Sequence, residues 1–372
     1  MKVGIVVPFS WSYWGGVVEH AENQAAALRD RGHDVSILMG HDPPGKATRL
    51  LHPRSGRHGD LPPGIIPVGR SVVVPANGSL PNIVLSPRSI GRIRATLAEQ
   101  RFDVLHLHEP MTPTICVATL AFAKCACVAT WHAAGDLGWM RAGTPVWGFL
   151  VDRIDQRIAV SRMAAESAER WVGPGFDIVP NGVMIPEHAD PAGREHHVVF
   201  IGRHDARKGL PVLLRAWPEI HRATGARLRL IGTDPLQYRF LHSRMRFDEA
   251  GIDVLGIVTN EVRTRELGSA KVFVSPALGG ESFGMVLVEA FATATPVVAS
   301  NIRGFADVAV PDAATLVPPG DEGALAAAVV ALLADEERRV AMGAAARALA
   351  VERYAWPDIA VRLESIYERV AA

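Results

Sequence analysis

The chain has 372 residues, of which 48% are hydrophobic, so it is long enough to bury large cores and to form two domains. Lysine plus arginine and aspartate plus glutamate number 39 each, which argues against an overall electrostatic attraction to nucleic acid. No apolar run reaches the length of about 18 residues that predicts a membrane span, and the first residues have the pattern of a strand rather than of a signal peptide. The three cysteines lie in one apolar region and are expected to be buried thiols. We therefore expect a cytoplasmic protein that does not bind nucleic acid.

The first part of the chain has the pattern of a βαβ unit. Lys2–Pro8 is a continuous apolar run, which is typical of a buried parallel strand. Gly15 and Gly16 lie in the loop before a helix predicted over Val17–Arg31, and the next strand is predicted over Asp34–Met39. A glycine-rich turn between such a strand and helix predicts a doubly wound parallel sheet. The loop lacks the Gly-x-Gly-x-x-Gly spacing of dinucleotide-binding folds, which makes a nicotinamide enzyme a weak candidate.

Strands and helices continue to alternate up to a turn at Pro180–Val183. Residues 41–64 are rich in proline, glycine, histidine and arginine, which predicts an irregular surface excursion. The polar segment Ile185–His197 contains prolines and is the best candidate for a linker. The strands are predicted over Ile65–Pro67, Val72–Val74, Val104–Leu107, Val128–Trp131 and Arg157–Val160, and the helices over Pro87–Gln100, Thr112–Ala123 and Arg162–Trp171.

A second α/β series begins after the linker. Its strands are predicted over Val198–Gly202, Arg227–Ile231, Asp253–Leu255, Lys271–Ser275, Val297–Ser300 and Leu316–Val317, and its helices over Leu210–His221, Thr259–Ala270, Glu322–Val351 and Trp356–Val370. We therefore predict an α/β protein with two Rossmann-like domains, residues 1–185 and 186–352, followed by a C-terminal helix within residues 353–372. Two such halves in series predict a cleft between them, which is where ligands of these architectures bind.

The stretch from Pro276 to Ala290 carries the most specific pattern. An apolar strand is followed by a glycine-rich loop and then a helix, so that backbone amides and a helix N-terminus form an anion site. Glu281 lies in the loop, and Glu289 lies about two helical turns further on, so both carboxylates can face one cleft. A phosphate site that also holds acidic groups suggests a ligand with both a diphosphate and sugar hydroxyls.

A cationic loop follows the first strand of the second half. Arg203 and Lys208 flank it and are candidates to clamp a diphosphate, Arg203 by bidentate contact and Lys208 as a point charge. Solvated surface charge is an equally good interpretation of this loop taken alone. In the first half, Gly15 and Gly16 ahead of a helix form a second, smaller anion platform.

Three histidines of the first half are further candidates. His132 follows a strand that ends at Trp131 and is expected to be open to the cleft, although a structural role fits this position as well. His106 and His108 alternate with leucines and so point to one face. With Glu109 they resemble a metal site, but a hydrogen-bonded pair at the sheet edge is the more ordinary interpretation. No acidic pair with metal-ligand spacing lies near the cleft motifs, so no required metal is expected.

Taken together, these motifs resemble those of the retaining glycosyltransferases of family four, which have the GT-B fold of two facing Rossmann-like domains. The resemblance spans nearly the full chain, and its last motif is the family's Glu-x7-Glu element. It rests on Gly15-Gly16-Val17, Leu107-His108-Glu109-Pro110, Thr130-Trp131-His132, Ala159-Val160-Ser161, Pro180-Asn181-Gly182-Val183, Gly202-Arg203 with Lys208-Gly209, and Gly280-Glu281-Ser282-Phe283-Gly284 through Glu289.

The resemblance implies a role for each donor-site residue. Arg203 and Lys208 would hold the diphosphate of a nucleotide sugar and offset the charge that builds on the departing nucleotide. Glu281 would bind the hydroxyls of the sugar, Glu289 would bind the ribose, and His132 would stabilise the transition state. The transfer would retain the anomeric configuration with no metal and no cofactor, and the last helix would cross back onto the first domain. The remaining donor-binding residues would be Gly16, Ser282, Phe283, Gly284, Met285 and Val286.

Within the family, the chain most resembles the actinobacterial phosphatidylinositol mannosyltransferases, which use GDP-mannose. The acceptor would then contact Phe9, His132 and the turn Asn77-Gly78-Ser79, which is otherwise an ordinary turn. The acceptor side departs from that pattern at Val18, Ala76, Ala133 and Leu137, and the lysine-rich helix of those enzymes is reduced to Arg88, Arg92 and Arg94. Fewer cations weaken the binding of an anionic phospholipid and of an anionic membrane. The acceptor therefore stays open between phosphatidylinositol, another glycolipid or glycan, and a small polyol, with peripheral contact to the inner face of the membrane in the lipid cases.

The leading hypothesis is thus the transfer of mannose from GDP-mannose to a hydroxyl group. One alternative is a family-four enzyme that uses UDP-glucose or another UDP-sugar with a soluble acceptor. A nucleotide-sugar epimerase would lack the Glu-x7-Glu spacing, and a glycogen-type phosphorylase would need a cofactor-bearing lysine that the sequence does not nominate. A catalytically inactive sugar-nucleotide-binding protein is the alternative from another class, and the complete set of charged residues argues against it.

Overall fold

The computed structural model describes residues 1–52, 60–74, 81–132, 144–190, 192–203 and 205–372. Its contacts divide the chain into two compact units. The first unit consists of Met1–Gly182 and Trp356–Ala372, and the second consists of Val183–Ala355. The chain thus changes unit slightly before the predicted boundary at 185/186 and slightly after the one at 352/353.

The first unit is a parallel sheet with helices between its strands. Its sheet order is β3-β2-β1-β6-β7-β8-β9, and a short antiparallel hairpin, β4 with β5, joins it through β1. The elements are β1 (Lys2–Ser10), α1 (Gly16–Asp30), β2 (Asp34–Gly40), α2 (Lys46–Leu51), β3 (Ile65–Gly69), β4 (Val72–Val73), β5 (Asn82–Ile83), α3 (Arg88–Gln100), β6 (Val104–His108), α4 (Ile115–Phe122), β7 (Ala126–Trp131), α5 (Thr144–Val151), β8 (Gln156–Ala159), α6 (Arg162–Val172), β9 (Phe176–Ile178) and, from the end of the chain, α13 (Trp356–Ala371).

The C-terminal helix α13 completes the core of this unit. Ile359, Leu363 and Tyr367 recur every four residues, so they share one face of the helix. All three are buried in the same apolar cluster as Ala21 and Ala25 of α1. Burial of this stripe explains why the end of the chain packs with residues near its beginning.

The second unit is built on a six-stranded sheet in which every pairing is parallel, with the order β12-β11-β10-β13-β14-β15. β10 and β13 are neighbours in the middle of this sheet, so their carboxyl ends lie side by side. Its elements are β10 (Glu195–Ile201), α7 (Leu210–Thr224), β11 (Arg227–Ile231), α8 (Pro235–Met245), β12 (Ile252–Gly256), α9 (Asn260–Ser269), β13 (Ala270–Ser275), α10 (Met285–Ala292), β14 (Val297–Ser300), β15 (Ala314–Val317), α11 (Glu322–Ala334) and α12 (Glu336–Tyr354).

The predicted fold class, two doubly wound α/β domains in series, is confirmed for each unit, but several elements differ from the prediction. The excursion at residues 41–64 contains α2, and β5, α5, β9 and α8 were not predicted. The single helix expected over Glu322–Val351 is two helices, because Asp335 adopts an extended conformation and its carboxylate accepts a hydrogen bond from the backbone N–H of Arg338. Within the described ranges, no helix combines the length and the apolar character that crossing a bilayer requires.

The loops that leave β10 and β13 approach each other so closely that only glycine fits at one position. Gly209 has a φ of 71°, and a Cβ atom there would lie 1.8 Å from the carbonyl oxygen of Pro276. Gly225, at the end of α7, has nearly the same φ of 69°, but a Cβ atom there would meet nothing within 4 Å. The two glycines therefore share the backbone conformation and differ in the space around it.

We expect Gly209→Ala to lower the free energy of unfolding of the second unit by about 3 kcal/mol or more, because left-handed strain adds to a backbone clash. Gly225→Ala should cost only the conformational strain, about 1–2 kcal/mol. Urea unfolding of both variants tests this comparison. Equal losses would show that the contact between the two loops is not tight.

Candidate functional site

The first group of predicted residues lies where β10 and β13 of the second unit end. The loop after β10 contains Arg203 and a short 3₁₀ turn, Ala206–Lys208. The backbone N–H of Leu278, in the loop after β13, donates a 2.7 Å hydrogen bond to the carbonyl oxygen of Arg207. This bond and the Gly209 contact join the two loops, so they form one surface at the carboxyl ends of the strands.

Lys208 and Glu281 are brought together on this surface. The Lys208 Nζ atom lies 2.7 Å from Glu281 Oε1, and the two side chains are 22% and 15% exposed. Arg203 is exposed at the start of the same loop. A partly buried ion pair with a further cation in the same loop can exchange partners with a ligand that carries both a diphosphate and hydroxyl groups.

The short 3₁₀ turn before Lys208 is held in place by Asp205 and Arg207. Asp205 caps the 3₁₀ turn by accepting a 3.0 Å hydrogen bond from the backbone N–H of Arg207. The Arg207 guanidinium also binds the Asp205 carboxylate, with Nε 3.0 Å from Oδ2, and this contact holds the pKa of Asp205 below its usual range. The Arg207 side chain therefore pairs with Asp205 within its own loop, whereas the Lys208 side chain pairs with Glu281 of the other loop.

The helix that follows the second loop begins at the predicted anion site. Gly284, the N-cap of α10, has a φ of 93°, and a Cβ atom there would lie 2.8 Å from the ring of Phe305. The side chain of Phe283 is buried and packs edge-on against Tyr354, with the ring centroids 5.7 Å apart. These contacts fix the loop after Glu281 and Ser282, so the amides of Met285 and Val286 lie in the first turn, where the helix dipole favours an anion.

Glu289 has a different neighbour from Glu281. It lies on α10, and its Oε1 atom is 3.2 Å from a guanidinium nitrogen of Arg263 on α9. Both side chains are largely buried, at 15% and 23% exposure. The sequence did not single out Arg263, because a contact between two helices leaves no fixed spacing in the chain.

In the first unit, His132 lies in a cluster of imidazoles with His20 and His108. The prediction of an open imidazole was wrong, because the residue is only 8% exposed. His132 Nε2 lies 2.8 Å from His108 Nδ1, and the backbone N–H of His132 donates to Glu109 Oε1 at 3.0 Å. Burial lowers the pKa of His132 to about 4, so its ring is neutral near pH 7.

His106 and His108 do not form the predicted hydrogen-bonded pair at a sheet edge. They lie on β6, between β1 and β7 in the interior of the sheet, and their rings stack at 4.8 Å. The nitrogens of His106 reach instead to the hydroxyl groups of Tyr367 and Thr130, at 2.5 and 2.7 Å, and Gln24 donates to the same Tyr367 oxygen. The network therefore ties α1, β6, β7 and α13 together.

Two further residues of this cluster were not selected from the sequence. His20, one helical turn after Gly16, is 7% exposed, and its ring centroid lies 4.9 Å from that of His132. Asn181 is buried, and its side chain partly offsets the lowering of the His132 pKa. The spacing of His20 and Gln24, four residues apart on α1, is the signal that places both on the face toward the histidines.

The acceptor-side predictions are covered only in part. Phe9 lies on β1, paired with Ile83, and packs against the core. Gly16 begins α1, and a Cβ atom there would meet nothing within 4 Å. Val18 is buried in the core rather than placed to contact an acceptor. The predictions at Ala76, Asn77, Gly78, Ser79, Ala133 and Leu137 lie outside the described residues.

Comparison with known proteins gives matches over the whole chain. The family described as "Glycosyltransferase Family 4" matches residues 14–185, and that described as "Glycosyl transferases group 1" matches residues 195–335. The phosphatidyl-myo-inositol mannosyltransferase of Mycolicibacterium smegmatis is 34% identical over 100% of this chain and 94% of its own length. The enzyme of the same name from Propionibacterium freudenreichii is 36% identical over 84% of this chain and 80% of its own length.

Among solved structures, the Anabaena protein HepE in complex with UDP and glucose superposes with a TM-score of 0.74. The superposition covers 99% of both chains at 18% sequence identity. At this identity the match shows the fold alone, and it supports the predicted GT-B class.

The buried imidazoles predict that the first unit becomes less stable in acid. Burial lowers the pKa of His106 to about 3 and those of His20 and His108 well below the usual value, and the neighbouring imidazoles add to the effect. Below pH 6.5 the unfolded chain takes up protons that the folded unit excludes, so the free energy of unfolding falls as the pH is lowered from about 6.5 toward about 4. Each histidine contributes up to about 1.4 kcal/mol per pH unit.

Urea unfolding between pH 7.5 and pH 5 measures this slope. His106→Gln removes one titrating group and should reduce the slope by about one proton, whereas His188→Gln, at a side chain that is 91% exposed, should not. An unchanged slope in His106→Gln would contradict the assignment of neutral, buried imidazoles.

Proposed function

This chain belongs to glycosyltransferase family 4, and we propose that it transfers mannose from GDP-mannose to a hydroxyl group of phosphatidylinositol or of another glycolipid or small polyol. The observation that carries the proposal is the 34% identity to a phosphatidyl-myo-inositol mannosyltransferase over the full length of this chain. The joined loops of the second unit support the donor half of the proposal, because they gather the cations and carboxylates that a nucleotide sugar needs.

The second unit would bind the donor. Arg203 and Lys208 supply positive charge for the diphosphate, and the first turn of α10 adds backbone amides. Lys208 pairs with Glu281 at 2.7 Å, and a bound donor would replace this contact with two others. Lys208 would bind a phosphate oxygen, and Glu281 would accept a hydrogen bond from a sugar hydroxyl. Glu289, held by Arg263, would accept hydrogen bonds from the ribose.

The chemical step would rely on electrostatic stabilisation of the leaving nucleotide. Charge that develops on the diphosphate as the glycosidic bond breaks is offset by Arg203 and Lys208, which is the role that a metal ion takes in other transferases. His132 would act as a neutral hydrogen-bonding group beside the reacting sugar, because its pKa of about 4 leaves it unprotonated near pH 7. The transfer would retain the anomeric configuration.

The acceptor half of the proposal rests on the names of the relatives and on exposed arginines of α3. Arg88, Arg92 and Arg94 are all exposed, and the Arg94 guanidinium lies 5.5 Å from the ring centroid of Phe122. Arg88 and Arg92 lie one helical turn apart on one side of α3, and an arginine near an anionic lipid surface contributes about 1 kcal/mol to its attraction. A lipid acceptor would therefore place the protein in peripheral contact with the membrane.

The first experiment combines donors and acceptors. We expect mannose to be transferred from GDP-mannose to vesicles that contain phosphatidylinositol, or to free inositol if the lipid chains are not required. Mass spectrometry of the product measures the transfer. Turnover with UDP-glucose but not with GDP-mannose would show that the donor is a UDP-sugar. If no donor is either transferred or hydrolysed, the proposal is overturned in favour of an inactive binding protein.

Glu281→Gln should separate the binding of the nucleotide from the binding of the sugar. The substitution removes the negative partner of Lys208, so the affinity for GDP alone should stay equal or rise. The affinity for GDP-mannose relative to GDP should fall by about tenfold, and kcat should fall by more, because the sugar loses a charged hydrogen-bond acceptor.

Isothermal titration with GDP and with GDP-mannose measures both affinities. The matched control is Glu352→Gln, an exposed glutamate on α12 of the same unit, which should leave both values unchanged. Parallel losses for GDP and GDP-mannose in Glu281→Gln would show that this carboxylate supports the loop instead of contacting the sugar.

A further inference from the structure

Three imidazoles of the first unit surround one point. The ring centroids of His20, His108 and His132 are separated by 5.3, 4.9 and 5.0 Å, so they form a nearly equilateral triangle. One nitrogen from each ring lies within 4.8 Å of the other two. The three residues come from a helix, the end of a strand and the residue after a strand, so the fold and not local spacing creates the triangle.

The cluster contains nitrogen atoms that the surrounding protein does not satisfy. Within the described residues, His20 Nδ1 and His108 Nε2 are buried and have no hydrogen-bond partner. The rings to which they belong are 7% and 0% exposed. A buried polar atom without a partner costs about 1–3 kcal/mol, so the unpaired His20 Nδ1 atom beside the other two rings indicates that a further group can bind favourably here.

His106 is set apart from this triangle although it stacks on His108. Its Nε2 atom lies 2.7 Å from Thr130 Oγ1 and its Nδ1 atom 2.5 Å from the Tyr367 hydroxyl, so both of its nitrogens are engaged. His106 therefore packs against His108 but has no free nitrogen for a ligand, and the other three imidazoles remain as ligand candidates.

We propose that His20, His108 and His132 bind one divalent transition-metal ion of the Zn²⁺ class. Three neutral imidazoles are a donor set that suits Zn²⁺, with a water molecule in the fourth position. A zinc–nitrogen distance of about 2.0–2.1 Å places the ligand nitrogens about 3.4 Å apart, and the nitrogens of the three rings already lie within 4.8 Å of one another, so movements of about 1 Å suffice. His108 Nδ1 and His132 Nε2 share one proton in a 2.8 Å hydrogen bond, so when both atoms bind the ion this proton moves to the other nitrogen of its own ring.

Such an ion inhibits the transferase, and this part of the inference rests on the proposed function. His132 is assigned to the reacting sugar, and a ring whose lone pair is bound to a metal is no longer available as a hydrogen-bond acceptor there. The ion is thus a reversible ligand that competes with catalysis rather than a requirement for it.

The test uses the full chain, freed of any polyhistidine tag and of metal by treatment with a chelator. Isothermal titration with Zn²⁺ should show one saturable site per chain, and Co²⁺ should give the visible absorption of a tetrahedral complex. His20→Gln should weaken the binding at least about 100-fold, because losing one of three ligands costs more than disturbing a neighbour of a ligand does. His196→Gln, an exposed histidine of the second unit, should bind as the unsubstituted chain does.

His108→Gln provides a second ligand variant in case His20→Gln fails to fold, as judged by circular dichroism. No saturable binding, or equal binding by the ligand variants and His196→Gln, overturns the site. In the transfer assay, one equivalent of Zn²⁺ should lower the rate at least about tenfold, with recovery after EDTA. Full activity with the site occupied overturns the inhibition. If no donor is used at all, the proposed function fails, while the titrations still decide the metal site.

Discussion

The contact between two loops at the carboxyl ends of β10 and β13 is the constraint on which the candidate donor site depends. Gly209 allows the first loop to reach the carbonyl oxygen of Pro276, and the hydrogen bond from Leu278 to Arg207 holds the second loop to the first. Parallel strands that are neighbours in a sheet must end at the same edge, so the two loops start close together. The glycine and the hydrogen bond convert this proximity into one surface, on which Lys208 and Glu281 meet.

The first unit depends on a different interaction, the burial of a polar network in an apolar core. Tyr367 of the last helix reaches His106 and Gln24, so the end of the chain is fixed by hydrogen bonds as well as by apolar packing. Burial keeps the imidazoles neutral, because a charged ring loses more hydration than its neighbours can replace. Neutral rings donate and accept hydrogen bonds, and they are also the form in which histidine binds metals. The proposed catalytic role and the proposed metal site thus follow from the same physical state.

The two sites differ in how much of them could be predicted. Arg203, Lys208, Glu281 and Glu289 belong to recognisable motifs next to strands, and the sequence placed them at one edge of a sheet. The ion pair between Glu289 and Arg263 could not be predicted, because these residues lie on separate helices and meet only through their packing. For His132 the position was predicted and the environment was not. The sequence predicted an imidazole open to a cleft, whereas His20, His108 and Asn181 lie around the ring and come from distant parts of the chain.

The sequence by itself determined the alternation of strands and helices, the division into two α/β halves and the family, because these depend on the period of apolar residues and on motifs that are continuous in the chain. It did not show the break at Asp335, where a cap competes with helix propensity in an alanine-rich segment. Only the tertiary structure decided which charges are paired, which imidazoles are neutral and that three of them form a triangle. Those properties depend on distances and burial between residues far apart in sequence, about which the spacing along the chain carries no information.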